Sequence, residues 1–213
     1  MKHYHDRTHN TPIHIKNLKI TTKSCVLDIG CGWGRLALGI IDTVGDVDYL
    51  GVDVMQRSIE ECRTIEEEHP SFKFKHLNVC NARYNPTGDK ITQLQFNKKF
   101  DIIYLCSVFT HMTEEDMRIY LRDFPQMLKK EGRIFFTVFV EDDVPNITIN
   151  PDNYKIKCSG ALHIVRYNKD YLFNIINEYD YKITDFSYGT EGDGQSAIYL
   201  KEELWNYFIR YGL

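Results

Sequence analysis

Short apolar runs alternate with helix-like stripes along most of the chain. Five runs have the length and the Val, Ile, Phe and Tyr content of strands, and they are 24–29, 47–52, 72–77, 100–106 and 133–140. The fourth run is largely apolar, which is typical of a strand buried on both faces of a parallel sheet. Two further strand patterns, 181–188 and 197–200, follow each other with no helix between them.

The segments between these runs carry apolar residues at helical spacing. They predict helices over 33–44, 58–65, 113–130 and 168–179, with an amphipathic tail helix around Trp205, Phe208 and Ile209. Ser58 and Glu61 fit a capping box, and Thr113 and Asn168 stand where the next two helices begin. Pro125 lies inside the third helix, where it removes a hydrogen bond and predicts a kink that separates the last turn.

This order of elements predicts the fold class. Five strands that alternate with helices, followed by a strand pair, indicate an α/β fold with a doubly wound, Rossmann-like, mostly parallel sheet. We expect seven strands, an antiparallel edge strand and helices on both faces. We expect a single domain over residues 1–213, with 1–15 as a flexible arm or lid and the turn-rich segment 142–159 as an insertion loop.

Composition and charge narrow the class of partner. The net charge of -4 comes from mixed acidic and basic residues, so the chain lacks the basic footprint of a nucleic-acid binder. The longest apolar run, 134–140, is far shorter than a membrane span, and the polar start has no signal-peptide core. Six cysteines are scattered without a C-x-x-C pair, which favours a reducing compartment and a cytoplasmic location.

A glycine-rich turn follows the first predicted strand, in the sequence V-L-D-I-G-C-G-W-G over 26–34. In an open parallel sheet, the first strand-to-helix turn is the usual ligand cradle. The dinucleotide spacing G-x-G-x-x-G is absent because Arg35 follows Gly34. Asp28 would repel a pyrophosphate but attract an ammonium group. The turn therefore favours an amino-acid-bearing nucleoside without a phosphate over a dinucleotide.

Four motifs in this order resemble those of the class I S-adenosylmethionine-dependent methyltransferases, and the resemblance extends from Ser24 to about Leu200. They are V-L-D-I-G-C-G-W-G-R, L-G-V-D, F-D-I-I-Y-L-C-S-V-F-T-H-M and L-K-K-E-G-R-I-F-F-T-V. S-V-F-T-H-M, N-A-R-Y-N-P-T-G and the late G-Q segment are similar to a bacterial group associated with small-molecule or glycan methylation. The resemblance implies a methyltransferase domain that binds S-adenosylmethionine and releases S-adenosylhomocysteine.

The resemblance also implies cofactor contacts. The backbone amides of Gly30, Cys31 and Gly32 would face the methionine carboxylate, while Asp28 would hold its ammonium directly or through water. Asp53 would accept hydrogen bonds from both ribose hydroxyls. The other expected contacts are Trp33 and Gly34 in the turn, Val54 and Met55 at adenine or ribose, Asn78, Val79 or Cys80 at the adenine amine, and Leu105 and Cys106 at the sulfonium. The simpler interpretations are a turn or cap residue for Asp28, a strand end for Asp53 and packing residues for Trp33 and Leu105.

His111 follows the fourth strand, on the loop that faces the transferred methyl group in this fold. A hydroxyl acceptor generally needs a general base, and the ordinary pKa of histidine suits that task. The alternative is a histidine that only orders the loop. Members of this family that stack an amide or a nucleobase amine carry an N-P-P-Y type signature. This chain has C-S-V-F instead, which argues against nucleobase and glutamine N-methylation.

We therefore expect methylation of a small polar acceptor, with a sugar or metabolite hydroxyl favoured. N-methylation of a small amine, a non-catalytic cofactor-binding module and a nicotinamide-dependent oxidoreductase stay open as alternatives. Further candidates for substrate contact are His163, Arg166, Tyr188 and Gln195. We expect no bound metal: the histidines at 3, 5, 9 and 14 fit a mobile arm better, and the acids at 141, 142 and 143 fit a solvated loop better.

Overall fold

The structure, a computed structural model, describes residues 10–203. Its strands are β1 Cys25–Ile29, β2 Asp48–Asp53, β3 Phe72–His76, β4 Phe100–Leu105, β5 Leu128–Glu141, β6 Ile147–Ile149, β7 Val165–Asn168, β8 Tyr181–Ser187 and β9 Ser196–Glu202. Its α-helices are α1 Thr11–Leu18, α2 Arg35–Thr43, α3 Gln56–Glu61, α4 Arg63–Glu68, α5 Glu114–Met127 and α6 Lys169–Glu178. No helix in this range combines the length and the apolar character that a membrane span requires.

The strands form one sheet whose first five members are parallel, in the order β3, β2, β1, β4 and β5. β9 pairs antiparallel with β5, and β8 pairs antiparallel with β9. The predicted α/β fold class, with an antiparallel edge, is confirmed. Within residues 10–203 the sheet has nine strands rather than seven. The two extra strands are β6 and β7, which form an antiparallel pair joined to the far end of β5.

Neighbouring residues of the central strands face opposite sides of the sheet. Val26 and Ile102 pack in a core with α1 to α4, while Leu27 and Ile103 pack in a second core with α5 and α6. Side chains alternate across a strand, so a strand that is apolar throughout supplies both cores. This explains why β1 and β4 read as continuous apolar runs in the sequence.

Helix α5 runs without interruption to Met127, so the predicted separation of its last turn at Pro125 is wrong. The missing N–H of Pro125 would donate to the carbonyl oxygen of Leu121 in a regular helix. The Tyr181 hydroxyl donates to that oxygen instead, at 2.7 Å. Because a side chain from β8 replaces the lost hydrogen bond, the helix tolerates the proline near its end.

The predicted helix starts have different outcomes. The side chains of Thr113 and Asn168 cap α5 and α6 by accepting from backbone N–H groups, as expected. The capping box of Ser58 and Glu61 is wrong, since Ser58 lies inside α3 and Met55 precedes the helix. A backbone turn after β2 therefore starts α3, without a side-chain cap.

The amino-terminal arm is corrected for residues 11–15, which belong to α1. Thr11, His14 and Ile15 are buried there, and α1 packs against α2 at Gly39, where a Cβ atom would lie 2.6 Å from the Thr11 methyl group. Burial of an apolar helix face holds this segment on the sheet. Residues 1–9 and 204–213, with His3, His5, His9 and the predicted tail helix, lie outside the described range.

Candidate active site

The glycine turn between β1 and α2 leaves an open cradle. Gly30, Gly32 and Gly34 have φ values of +72°, +52° and +80°, a region that side chains disfavour. A Cβ atom on Gly30 would lie 2.5 Å from Val108, and one on Gly34 would lie 2.6 Å from Ile65. Apart from Gly32 itself and its two chain neighbours, no heavy atom of the described residues lies within 4 Å of the corresponding point on Gly32. A ligand therefore has room to approach the backbone there.

The N–H groups of this turn point into the protein. Gly30 and Cys31 donate to the carbonyl oxygen of Val52 at 2.8 Å and 3.0 Å. Gly32 donates to Oδ2 of Asp53 at 2.8 Å. The expectation that these amides face a ligand carboxylate is corrected, because their hydrogen bonds hold the turn against β2.

Asp53 ends β2 directly beside the cradle. Its second oxygen, Oδ1, accepts from the Met55 N–H at 2.8 Å. Burial raises the pKa of the Asp53 carboxyl, and the N–H groups of Met55 and Gly32 oppose that rise. Each carboxylate oxygen accepts one protein hydrogen bond and keeps a lone pair for a further donor. The position and acceptor capacity of Asp53 fit a ribose diol, and Val54 and Met55 follow it half-buried.

Asp28 lies deeper, on β1, and is only 2% exposed. Its Oδ2 accepts from the Tyr49 hydroxyl at 2.5 Å. Burial raises the pKa of Asp28 to about 7, against the opposing effects of the Tyr49 hydroxyl and the Arg35 cation. Asp28 is therefore a carboxyl group that changes charge near neutral pH, next to the glycine turn.

Arg35, the first residue of α2, brings a cation to the carboxyl ends of β1 and β4. Its Nη2 lies 3.2 Å from Sγ of Cys106, a predicted site residue, and its charge interacts with the carboxylates of Asp28 and Glu191. In the sequence alone, Arg35 stands out only as the residue that breaks a dinucleotide spacing. Its place directly after the third glycine was a signal for a role in the site.

A buried contact connects α1 to the same region. His14 makes a hydrogen bond with the Tyr104 hydroxyl at 2.8 Å and pairs with Glu191 at 3.1 Å. Asn10 donates to the other oxygen of Glu191 at 2.9 Å. His14 thus belongs to the packing between α1, β4 and the β8–β9 loop, and not to a mobile arm.

Three other predicted contacts lie in surroundings less suited to a ligand. Oδ1 of Asn78, the predicted adenine acceptor, accepts from the Asn85 amide at 3.2 Å, so one of its two lone pairs is used inside its own loop. Val79 lies in the same loop, where its carbonyl also accepts from Asn85. Leu105 is fully buried in the core and offers no exposed surface. Trp33, in contrast, is 52% exposed at the edge of the turn.

His111 occupies a short 3-10 turn after β4 and is held from two sides. Its Nδ1 donates to the carbonyl oxygen of Leu162 at 3.0 Å. Its own carbonyl accepts from Asn81 at 2.8 Å. Because Nδ1 carries the proton in this contact, the neutral ring has its lone pair on Nε2. Burial lowers the pKa of His111, the Leu162 carbonyl opposes this, and the charges of Arg83 and His163 add to the lowering.

Residues 150–164, here called the roof segment, join His111 to the far end of β5. Arg83 donates to the carbonyl of Ser159 at 2.8 Å, and the Tyr154 hydroxyl donates to the carbonyl of Asp193 at 3.1 Å. His163 accepts from the Ser159 N–H at 2.9 Å. A cavity of about 460 Å³ lies under this segment, between β5 and the β8–β9 loop. Most of the predicted insertion 142–159 is thus held in place by loops on both sides, and it contains β6.

Of the remaining residues predicted to contact the substrate, some lie at the cavity and others hold neighbouring loops in place. Gln195 is 5% exposed and accepts from Thr137 at 2.5 Å and from Ser107 at 3.1 Å, so it fixes the turn after β4. Tyr188 is 57% exposed at the cavity, and Arg166 is 4% exposed behind it. Two of the three acids at the end of β5 form ion pairs, Glu141 with Arg166 and Asp142 with Lys169. Among residues 10–203, no three His, Cys, Asp or Glu side chains are arranged to hold a metal ion.

Several solved structures of methyltransferases have the same fold as this chain. The chain is similar to the glycopeptide N-methyltransferase MtfA in complex with S-adenosyl-L-homocysteine, with 9% identity and a TM-score of 0.70 over 93% of this chain and 91% of that one. It is also similar to an S-adenosylmethionine-dependent methyltransferase from Clostridium acetobutylicum ATCC 824, with 14% identity and a TM-score of 0.61 over 93% and 92%. Magnesium protoporphyrin IX methyltransferase from Synechocystis PCC 6803, with bound SAH, matches at 12% identity and a TM-score of 0.63 over 92% and 82%.

The sheet order and the glycine turn match the class I fold of these S-adenosylmethionine-dependent methyltransferases, as the motifs predicted. A family model described as a methyltransferase domain matches residues 27–134, just over half of the chain. The chain belongs to this methyltransferase domain family, and its cofactor is S-adenosylmethionine.

Proposed function

We propose that the protein transfers a methyl group from S-adenosylmethionine to a hydroxyl group of a small polar acceptor, with His111 as the general base. The observation that carries this proposal is the hydrogen bond from Nδ1 of His111 to the Leu162 carbonyl. It fixes the tautomer in which Nε2 is ready to accept a proton. The lowered pKa keeps that nitrogen unprotonated at neutral pH.

The cofactor would lie across the open cradle at Gly32. Asp53 would accept hydrogen bonds from the ribose hydroxyls, and Asp28 would stabilise the methionine ammonium. The methionine carboxylate needs a donor other than the Gly30, Cys31 and Gly32 amides, since these are bonded inside the protein. Arg35 supplies a cation at the correct end of the turn, so we assign the carboxylate to its guanidinium.

The chain's own residues would then do two things for the reaction. The turn and Arg35 would hold the sulfonium methyl group in line with the acceptor oxygen, and the roof segment would exclude water. The acceptor hydroxyl would lose its proton to Nε2 of His111 as the carbon–oxygen bond forms. S-adenosylhomocysteine leaves with the electron pair of the broken carbon–sulfur bond, and His111 returns its proton to water.

We propose that the enzyme is cytoplasmic and consists of a single domain. All six cysteines are free in the structure, which supports a reducing compartment. The charge pattern and the polar cavity support a small-molecule or sugar-bearing acceptor over nucleic acid.

N-methylation of an amine is the second candidate, because the solved structures similar to this chain include a glycopeptide N-methyltransferase. A neutral amine attacks a sulfonium without a general base, whereas a hydroxyl generally needs one. The dependence of the rate on His111 therefore separates the two functions.

The test is incubation with methyl-labelled S-adenosylmethionine and a metabolite extract, followed by mass identification of the product. With that acceptor, His111→Gln should lower kcat by about 100-fold or more, the contribution typical of a positioned base. The control variant is His69→Gln, which changes a partly exposed ion pair with Asp46 far from the turn.

The pH profile gives the second half of this test. The wild-type rate should fall on the acid side, with an apparent pKa below the ordinary value for histidine, because protonation of His111 removes the base. This acid limb should disappear in His111→Gln. An unchanged rate and an unchanged profile in that variant would contradict O-methylation by this base and favour the amine.

A further inference from the structure

The cavity of about 460 Å³ lies beyond the part of the sheet that holds the glycine turn. Phe136 of β5 pairs with Leu105, the last residue of β4, and β5 continues for five more residues to Glu141. At the usual rise of a strand this extension spans roughly 16 Å. The cavity therefore lies apart from the cofactor cradle, beyond the carboxyl end of β4.

Its polar wall is built on a buried ion pair. Oε2 of Glu141 accepts from Nη1 of Arg166 at 2.9 Å, and the Glu141 side chain is 31% exposed while that of Arg166 is 4% exposed. Nη2 of Arg166 lies 3.4 Å from Oδ1 of Asn153, which also lines the cavity. The arginine thus holds a carboxylate and an amide in fixed positions at the cavity surface.

Two atoms behind this wall have no hydrogen-bond partner among the described residues. They are Nε of Arg166 and Oγ1 of Thr148, which are cross-strand neighbours in β7 and β6. A buried N–H without a partner costs stability, and such groups are rare in folded proteins. Arginine is therefore a costly choice here for packing alone, which points to a role for the fixed carboxylate of Glu141.

The other walls of the cavity are aromatic. Tyr154 stands edge-on to Phe139, with ring centroids 5.2 Å apart, and its hydroxyl is fixed by Asp193. Tyr188 enters from the β8–β9 loop and is 57% exposed. The Lys155 ammonium lies close to Gly194, in the space that a side chain at 194 would occupy. The cavity thus offers ring faces together with fixed acceptors and donors.

We propose that this cavity binds a sugar unit of the acceptor, remote from the atom that is methylated. A sugar ring has an apolar C–H face that packs on tyrosine and a rim of hydroxyls that both donate and accept. Glu141 and Asn153 accept from such hydroxyls, and Lys155 donates to them. A purely apolar ligand would cover the Glu141 carboxylate and the Lys155 ammonium without offering either of them a hydrogen bond, which costs free energy. The inference rests on the proposed function and narrows its acceptor to a glycoside or glycan of two or more units.

The test uses the full chain saturated with S-adenosylhomocysteine and saturation-transfer NMR. The probes are cellobiose, maltose, lactose and chitobiose with their monosaccharides, and catechol and glycine are the non-sugar comparison. At least one disaccharide should bind, and Tyr188→Ala and Glu141→Gln should each weaken it by about tenfold. Tyr188→Phe should retain binding because the ring face is kept. Lys182→Met, in a separate cavity lined by Lys16 and Tyr199, is the matched control.

Two outcomes would overturn the inference. One is that no sugar of the panel binds the wild type saturated with S-adenosylhomocysteine, whether or not catechol or glycine binds. The other is that a bound sugar keeps its full affinity in Tyr188→Ala. Calorimetry with S-adenosylhomocysteine on every variant separates these results from a failure of the proposed function. A wild type that does not bind S-adenosylhomocysteine would overturn the proposed function and the cavity assignment together. A wild type that binds S-adenosylhomocysteine but no sugar would overturn the cavity assignment alone.

Discussion

The charge of Arg35 interacts with the carboxylates of Asp28 and Glu191, and Arg35 is the charged donor that we assign to the cofactor carboxylate. Arg35→Met should lower the affinity for S-adenosylhomocysteine by roughly 10- to 100-fold, the range for a lost hydrogen bond to a charged group. The affinity for 5′-methylthioadenosine, which lacks the amino-acid part, should not change. Calorimetry with both ligands measures this difference, and Arg57→Met on exposed α3 is the control.

Equal weakening of both ligands would show that Arg35 acts on the shape of the turn instead. The ligand pair makes this distinction without knowledge of the acceptor. It also separates the assignment from folding, because a misfolded variant loses both ligands.

At this scale the sequence predicted which residues surround the turn but not where their atoms point. Gly30, Gly32, Asp28 and Asp53 were identified from spacing, and all of them lie at the carboxyl ends of β1 and β2. The direction of each N–H depends on pairing with β2, which no local pattern encodes. The hydrogen bonds of Asn78 were missed for the same reason, since they depend on how its loop closes.

Among the elements, the glycine turn allows a matched comparison. Gly32 and Gly45 both have positive φ, and a Cβ atom on either would have no described heavy atom within 4 Å beyond its own residue and the two chain neighbours. Each Gly→Ala change should therefore cost about 1 to 2 kcal/mol of stability from backbone strain alone. Gly32→Ala should also reduce S-adenosylhomocysteine affinity by tenfold or more because its methyl group enters the cradle, while Gly45→Ala should bind normally.

Thermal unfolding measures the shared strain, and calorimetry measures the difference in binding. Undiminished affinity in Gly32→Ala would place the cofactor away from this turn and would refute the proposed binding mode.

Element boundaries show where local rules stop. The caps of α5 and α6 were predicted from Thr113 and Asn168, because a cap is a contact within four residues. The continuity of α5 through Pro125 was not, since its compensation comes from Tyr181, which is distant in sequence. The added strands β6 and β7 were missed because their partner is the extension of β5 rather than a neighbour in sequence.

At the scale of the whole molecule, the titration of Asp28 should appear in the free energy of unfolding. Its pKa is about 7 in the folded chain and near 3.8 when exposed, so the folded state holds a proton that the unfolded state releases. Stability from this group therefore decreases as pH rises from about 4 through 7. Asp28→Asn has no carboxyl group at this position, so its free energy of unfolding lacks this decrease. The difference in free energy of unfolding between Asp28→Asn and wild type should therefore change in favour of the variant by on the order of 1 to 3 kcal/mol from pH 5 to pH 8.

Urea unfolding of both proteins at a series of pH values measures this difference. Asp42→Asn, an exposed change on α2, should show no such trend. Parallel stability curves for Asp28→Asn and wild type would mean that Asp28 is already ionised in the folded protein.

The global topology was the most predictable feature, because alternating strands and helices leave few ways to build a sheet. The roof segment was the least predictable. Its path depends on contacts with Arg83, His111 and Asp193, which come from three separate loops.

The path of the roof segment separates sequence changes that affect the acceptor from those that affect the methyl donor. The glycine turn and Asp53 belong to the first quarter of the chain, whereas residues 142–164 form the connection between β5 and β7. A replacement of this connection by one of different length would alter which molecules are methylated and leave the methyl donor the same. Such a chimaera would have to keep a backbone oxygen at the place of Leu162, because that oxygen accepts from His111, the base that we propose.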